Sequence, residues 1–390
     1  MPLLLLLAAL AISAMFIQAA GSPPAACPVV SGVVDASKCA GGFKAGNATA
    51  ALRAAFTSGA NEVRVPNMGT PWLVASVPGA DEASGYGPCP ADTHKWGHCP
   101  AIYIFNVSNL TIVLEAGAQL QVVPGQMKHP NSEMIRFERC RNITIRGMPG
   151  SSLVGLRAQI MDPAQHYSHS ENRGGITVYD SSEFRVHGVA VKLTGGDGLY
   201  LENVNNSLVL GSNFTHNYRQ GMSVVSAINL TVEDSAFTDT NGTAPMCGVD
   251  LEPDHIFYQL VNITFRRCLF ARNAACGFVI NPYVITSGFS TWVPGNGLGS
   301  NSNQSISVTL DSCTFTDNLR DSTMVGLGVA TVTLELSPGP LEGSVTIQVR
   351  HTHAHRHRDR DTDTHPMAEC TASRLAGCPR FKLRVVLCDC

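Results

Sequence analysis

Three short segments of this chain hold the residue types that acid–base chemistry needs: Gly195-Gly196-Asp197-Gly198, Tyr218-Arg219-Gln220-Gly221 and Gly248-Val249-Asp250-Leu251-Glu252-Pro253. Asp250 and Glu252 are separated by one residue. On an extended strand that spacing puts both on one face, with Cα atoms ~6.7 Å apart. Carboxyls crowded in this way cannot all ionise freely, so at least one has a raised pKa and is available as an acid. Arg219 can keep another ionised or bind an anionic group of a substrate. Hydrolysis of a glycosidic bond fits the set, since inverting and retaining enzymes use carboxyl separations of ~6.5–9.5 Å and ~5–5.5 Å that side-chain rotation can reach. A base that removes the proton beside a uronic carboxylate, neutralised by Arg219, is the lyase or C5-epimerase alternative. The plainer alternative is a ladder of solvated charges on a binding or cell-wall structural protein.

Whether these segments meet depends on the elements that carry them, and a repeat settles which elements those are. Gly-apolar-x-apolar recurs at Gly175-Ile176-Thr177-Val178, Gly198-Leu199-Tyr200-Leu201, Gly221-Met222-Ser223-Val224, Gly248-Val249-Asp250-Leu251 and Gly277-Phe278-Val279-Ile280, in steps of 23, 23, 27 and 29 residues. A second short alternating pattern follows the first four glycines, as in Asn229-Leu230-Thr231-Val232 and Asn262-Ile263-Thr264-Phe265, and a phenylalanine commonly comes next: Phe214, Phe237, Phe270, Phe315. Strands this short cannot bury an apolar side alone, but stacked as coils they share one continuous core, each paired ~4.8 Å above its equivalent. No 3.6-residue periodicity runs through residues 100–345, the leucine-rich signature is missing, and a propeller blade needs about 40 residues. The pattern predicts an all-β parallel solenoid.

Alternation along each strand then assigns faces. The first and third residues after each glycine are apolar and point inward. The second and fourth point outward and, with the residues just before the glycines, gather Asp197, Tyr200, Glu202, Arg219, Gln220, Asp250 and Glu252 on one solvent-facing trough within three coils. Glu202 stands two coils from Glu252, ~9–10 Å away. Asp250, Glu252 and Asp197 are the expected catalytic carboxyls; Arg219, Gln220, Tyr200 and Glu202 are expected to bind substrate. Arg173, on the loop before the first regular coil beside Tyr167, His169 and Glu171, is expected to join from one end or to pack its loop. His255 sits in a turn, and Trp292, in the long loop 282–304, is either a sugar platform or a packed anchor.

These coils resemble the right-handed parallel β-helix superfamily that includes pectate lyases, polygalacturonases and alginate epimerases. The likeness covers roughly residues 32–345. It includes a helix over Gly46–Phe56, near whose start Asn47 or Thr49 stands, followed by opening strands at Val63-Arg64-Val65-Pro66 and Ile112–Ala118. The resemblance implies a right-handed parallel β-helix with an N-terminal capping helix and a polysaccharide partner. No member's catalytic set transfers residue by residue. Asp250-Leu251-Glu252-Pro253-Asp254-His255 departs in spacing from the Asp-Pro-His element of the epimerases. The paired aspartates and Gly-His-Gly of polygalacturonases are missing, as is the clear calcium-binding aspartate ladder of pectate lyases. No metal or other cofactor is therefore expected from the sequence, although calcium is compatible with it.

Composition agrees. Among 390 residues only 15% are charged, and 27 basic against 30 acidic side chains give a net charge of −3. That excludes a coiled coil and a nucleic-acid binder, which needs a basic excess. Leu3–Ile17 is an apolar run followed by small residues, so residues 1–20 read as a secretory signal rather than a membrane span. Asn-x-Ser/Thr acceptors recur, among them Asn109, Asn142, Asn229 and Asn262, and nine of the 13 cysteines precede residue 350. Cys27/Cys39, Cys89/Cys99 and Cys247/Cys276 are spaced for disulfides, while Cys268 and Cys313 either bridge or stack as thiols. A secreted or cell-wall monomer is expected, with a solenoid domain over residues 21–349 (cap 32–70, regular coils 100–345). From His351 the His/Arg/Asp/Thr-rich composition is what a CA-rich repeat encodes when read in frame. Residues 350–390 are therefore expected to be an unordered tail from translated non-coding sequence.

Overall fold

A computed structural model describes residues 27–78, 80, 89, 97–253, 258–280, 305–318, 332–334, 343–350, 353–355 and 381–388. The expected signal, His255 and Trp292 lie outside the described residues. The chain winds into stacked coils whose strands form three long sheets running along the stack, parallel apart from the first pair, Val29–Val30 with Val33–Asp35, while Asn172–Arg173 and Gly195–Gly196 make a small antiparallel pair. One sheet carries Ser182–His187, Val204–Leu210, Ala227–Glu233 and Leu260–Arg266; another carries Ala190–Lys192, Asn213–Thr215, Ala236–Thr238 and Leu269–Ala271. The third, the site sheet, runs through Cys99–Phe105, Ser132–Glu138, Ile176–Tyr179, Leu199–Glu202, Met222–Val224, Val249–Leu251 and Phe278–Ile280. Its register matches the repeat residue for residue: Ile176, Leu199, Met222, Val249 and Phe278 pair in sequence along one row. This is the parallel β-helix that the glycine spacing predicts. Strand pairing also continues at Gly343–Arg350, His353–His355 and Phe381–Cys388.

The apolar positions of the repeat face inward, and Ile176, Val178, Leu199, Leu201, Met222, Val224, Val249, Leu251, Phe278 and Ile280 are all buried in a single core. The recurring phenylalanines form a column through it. Phe214, Phe237, Phe270 and Phe315 stack nearly parallel, with successive ring centroids 5.3, 5.5 and 4.7 Å apart. The glycine heading each coil is required by close approach. A Cβ at Gly221 would lie 2.5 Å from the Gly248 carbonyl oxygen and 3.0 Å from the Phe237 ring. On the outside, the asparagines of the Asn-apolar-Thr pattern sit at the corners with positive φ, where their short amides tolerate the left-handed backbone. They also stack: Asn142 Nδ2 donates to Asn109 Oδ1 at 2.8 Å, and Asn262 to Asn229 at 2.9 Å.

The helix Thr49–Phe56 turns Ala51, Leu52, Ala55 and Phe56 into the same core, and Asn47 Oδ1 accepts the Thr49 amide at its start. Disulfides join Cys27–Cys39, Cys89–Cys99 and Cys247–Cys276, while Cys140, Cys268 and Cys313 are buried free thiols. Removing a ring from the column leaves a void between two others, so Phe237→Ala should cost about 3–5 kcal/mol. Gly221→Ala should cost about 1–3 kcal/mol through overpacking. Chemical denaturation midpoints of the two variants check both values.

Candidate active site

The corner and strand residues on the outer side of the site sheet converge on one guanidinium. Arg219 stands in the turn before Met222–Val224, so its side chain reaches across neighbouring coils. Its Nη1 lies 3.2 Å from Asp197 Oδ2 and 3.3 Å from Ser223 Oγ, its Nη2 2.9 Å from Glu252 Oε2, and its Nε 3.3 Å from Glu171 Oε2. Gln220 fixes the next carboxyl: its Nε2 donates to Asp250 Oδ2 at 3.0 Å, while its Oε1 accepts the Cys247 amide at 2.9 Å. Glu202, on the adjoining coil, accepts from Tyr200 at 3.0 Å and from Tyr258 at 2.6 Å. Asp197, Arg219, Gln220, Asp250 and Glu252 therefore form one hydrogen-bonded cluster, with Tyr200 and Glu202 beside it.

Two expectations need correction. The outward face is not an open trough: Asp250 is 1% exposed, Asp197 4% and Arg219 8%, and Thr177, Ser223 and Val279 are buried too. Alternation dictates which side of the wall a residue occupies, not what reaches it; here Arg219 bonds Asp197 and Glu252, Gln220 bonds Asp250, and Tyr258 bonds Glu202. Solvent reaches the cluster at Glu252, whose side chain is 28% exposed, and at Glu171, 49% exposed. Arg173 does not join. Its guanidinium donates to the carbonyls of Met127, Lys128 and Ser168 at 2.8–2.9 Å, which makes it the fastener of its own loop.

Burial controls the electrostatics. Desolvation raises the Asp197 pKa to about 6, against the opposing pull of Arg219. Asp250 is driven well above the carboxylate range by desolvation and then by the charge of Glu252. Arg219 is the positive charge at the centre of these carboxyls.

Sequence reasoning missed a second group on the same face. Arg136 lies between Glu138 and Glu133, with Nη2 3.0 Å from Glu138 Oε2 and Nη1 3.5 Å from Glu133, and it lies 3.9 Å over the Tyr179 ring. His98 Nδ1 is 2.9 Å from Glu133, and Tyr103 donates to Glu138 at 3.3 Å. Desolvation and the Glu138 charge push the Tyr103 phenol up to about 12. Met134 occupies the place of the repeat glycine in that coil, because Ile135 pairs with Ile176, so the glycine search passed over it. The alternation Ile135-Arg136-Phe137 was the available signal. Cys89, Cys99 and His129 bring ligand-type atoms within 4.8 Å. Two of these residues form a disulfide, however, and His129 Nδ1 accepts the Asn131 amide at 3.1 Å, which leaves a proton on Nε2 and takes the ring out of a ligand set.

A family profile described as the right handed beta helix region matches residues 139–335. No curated protein matches the chain in sequence. Among solved structures, the fold is similar to that of PfbA, a surface adhesin of Streptococcus pneumoniae, at 12% identity and a TM-score of 0.52, covering 87% of this chain and 75% of that one. An alginate lyase from Paenibacillus sp. str. FPU-7 aligns at 12% identity and a TM-score of 0.41, covering 76% and 83%. The A-module of an Azotobacter vinelandii mannuronan C-5 epimerase aligns at 12% and 0.41, covering 87% and 91%.

Because Asp197 binds its proton more tightly when folded, its burial costs stability once the unfolded chain has lost that proton. The cost is absent below the unfolded pKa near 4 and grows as pH rises towards 6. Asp197→Asn removes this dependence. Its denaturation midpoint relative to the parent should therefore rise between about pH 4 and 6.5 and then level off, by an amount on the order of a few kcal/mol.

Proposed function

We propose, from the premise that the chain belongs to the right-handed beta helix family, that it is an exported enzyme that hydrolyses a polysaccharide at the Arg219-centred cluster. The observation that carries this reading is the guanidinium fork. Asp197 and Glu252 are held by the two terminal nitrogens of one arginine, so an acid and a carboxylate share a fixed frame. In this scheme Asp197, protonated up to about pH 6, donates to the glycosidic oxygen. Glu252, the member at the rim, serves the sugar carbon or the attacking water. Asp250 and Gln220 are positioning residues that orient Glu252 from beneath.

Hydrolysis is preferred to elimination or epimerisation because those reactions need a cation free to neutralise a uronic carboxylate. Arg219 is already paired with Glu171, Asp197 and Glu252. The three disulfides suit an oxidising, extracellular setting. A non-catalytic glycan-binding solenoid is the second reading. Its support is the near-complete enclosure of Asp250 and Asp197, as in an ion network that only fastens coils together.

A panel of neutral and acidic polysaccharides incubated with the purified protein separates the readings. Hydrolysis yields new reducing ends without ultraviolet-absorbing unsaturated uronides, elimination yields both, and a binding module yields neither. Asp197→Asn and Glu252→Gln should each lower kcat by at least about 100-fold, whereas substitution of Arg173 should act through stability alone. Full activity in both carboxyl variants would overturn the assignment.

A further inference from the structure

The corner that precedes the strands Asn213–Thr215, Ala236–Thr238, Leu269–Ala271 and Thr314–Thr316 carries Ser212, Ser235, Cys268 and Cys313, one above another. Register fixes this rank, because Asn213 pairs with Ala236, Ala236 with Leu269 and Leu269 with Thr314. All four side chains bond the carbonyl two residues back. Ser212 Oγ donates to Leu210 at 3.0 Å and Ser235 Oγ to Glu233 at 2.8 Å, whereas Cys268 Sγ lies 3.5 Å from the Arg266 carbonyl and Cys313 Sγ 3.6 Å from that of Asp311. A hydroxyl makes this bond at shorter range than a thiol. What two stacked thiols can do and two serines cannot is join the coils covalently.

Both cysteines are free thiols in this structure, and their placement suits a bond. Neighbouring coils at equal rank are ~4.8 Å apart, within the ~4.4–6.8 Å Cα separation that a disulfide spans. Thr314, the residue after Cys313, donates its amide to the Cys268 carbonyl at 2.8 Å, and Cys313 Sγ reaches back to within 3.5 Å of the Phe265 carbonyl in the Cys268 coil. The same backbone relation holds at the Cys247–Cys276 disulfide. There Gly248, the residue after Cys247, donates to the Cys276 carbonyl at 2.9 Å, and the Cα atoms are 4.5 Å apart. Cys140 is the internal contrast, since its neighbours of equal rank are Val107 and Ser181.

We infer that Cys268 and Cys313 close a further disulfide, a coil-to-coil bridge formed while the chain folds under oxidising conditions. The finished coils enclose both residues, so thiol exchange precedes their docking. One cysteine, as its thiolate, attacks a low-molecular-weight disulfide and forms a mixed disulfide as a small thiol leaves. The second cysteine attacks the mixed disulfide, the Cys268–Cys313 bond forms and the other small thiol leaves. Two electrons thus pass to the small disulfide, whose two products take up both protons. To test this, the full chain is refolded in reduced and oxidised glutathione, unfolded without reductant, alkylated and digested. Cys140 should carry the alkyl group, whereas Cys268 and Cys313 should appear in linked peptides that separate on reduction. Serine already fits this corner, so the double variant Cys268→Ser, Cys313→Ser keeps the packing and removes only the bridge. Without reductant the parent should unfold at least about 4 °C above the double variant, and dithiothreitol should abolish the difference. Alkylation of both Cys268 and Cys313 in the refolded parent overturns the inference. So does linkage of either to another cysteine, or a difference that survives dithiothreitol.

Discussion

In-register parallel pairing is the constraint on which the rest of the molecule depends. Each coil hydrogen-bonds to its equivalent above and below, so any residue placed at a repeat position acquires neighbours of the same rank ~4.8 Å away. The phenylalanine column, the asparagine corners and the glycine close approaches are all consequences of that single alignment. It also works against the protein at one place. Carboxyls at equivalent outer positions are brought together whether or not their charges are compatible, and the structure answers with an arginine threaded between them.

That answer gives the Arg219 cluster its character. A guanidinium has a rigid planar fork, so it can hold Asp197 and Glu252 on different nitrogens while its third edge faces Glu171. Desolvation pulls the two enclosed carboxyls, Asp197 and Asp250, towards their protonated forms, and Glu252 stays at the rim. Residues identical in chemistry are thereby separated in role by depth alone. The Arg136 group, three coils away from the Met222 coil, repeats the arrangement with Glu133 and Glu138, so the face is a run of such arginine-centred nodes rather than a single isolated site.

The fold was legible because a solenoid writes its geometry directly into local periodicity. Glycine steps of 23 to 29 residues, with alternating apolar positions, determined the coils, the inward face, the pairing of Cys247 with Cys276 and the side of the wall on which Asp197, Arg219, Asp250 and Glu252 stand. The coil at Ser132–Glu138 escaped because Met134 fills the glycine place, where that corner has room for a side chain.

What only the tertiary structure decided is depth and partnership. Alternation is a property of one strand, so it told inside from outside but carried no information about side chains arriving from distant turns. Arg173 had the right type and the right neighbourhood, yet its reach ends on the carbonyls of Met127, Lys128 and Ser168. Asp250 and Glu252 had the right spacing along the backbone, yet Asp250 is enclosed and only Glu252 reaches the rim. Side-chain rotation and overlying loops set those distances, and both arise from packing between segments far apart in the chain.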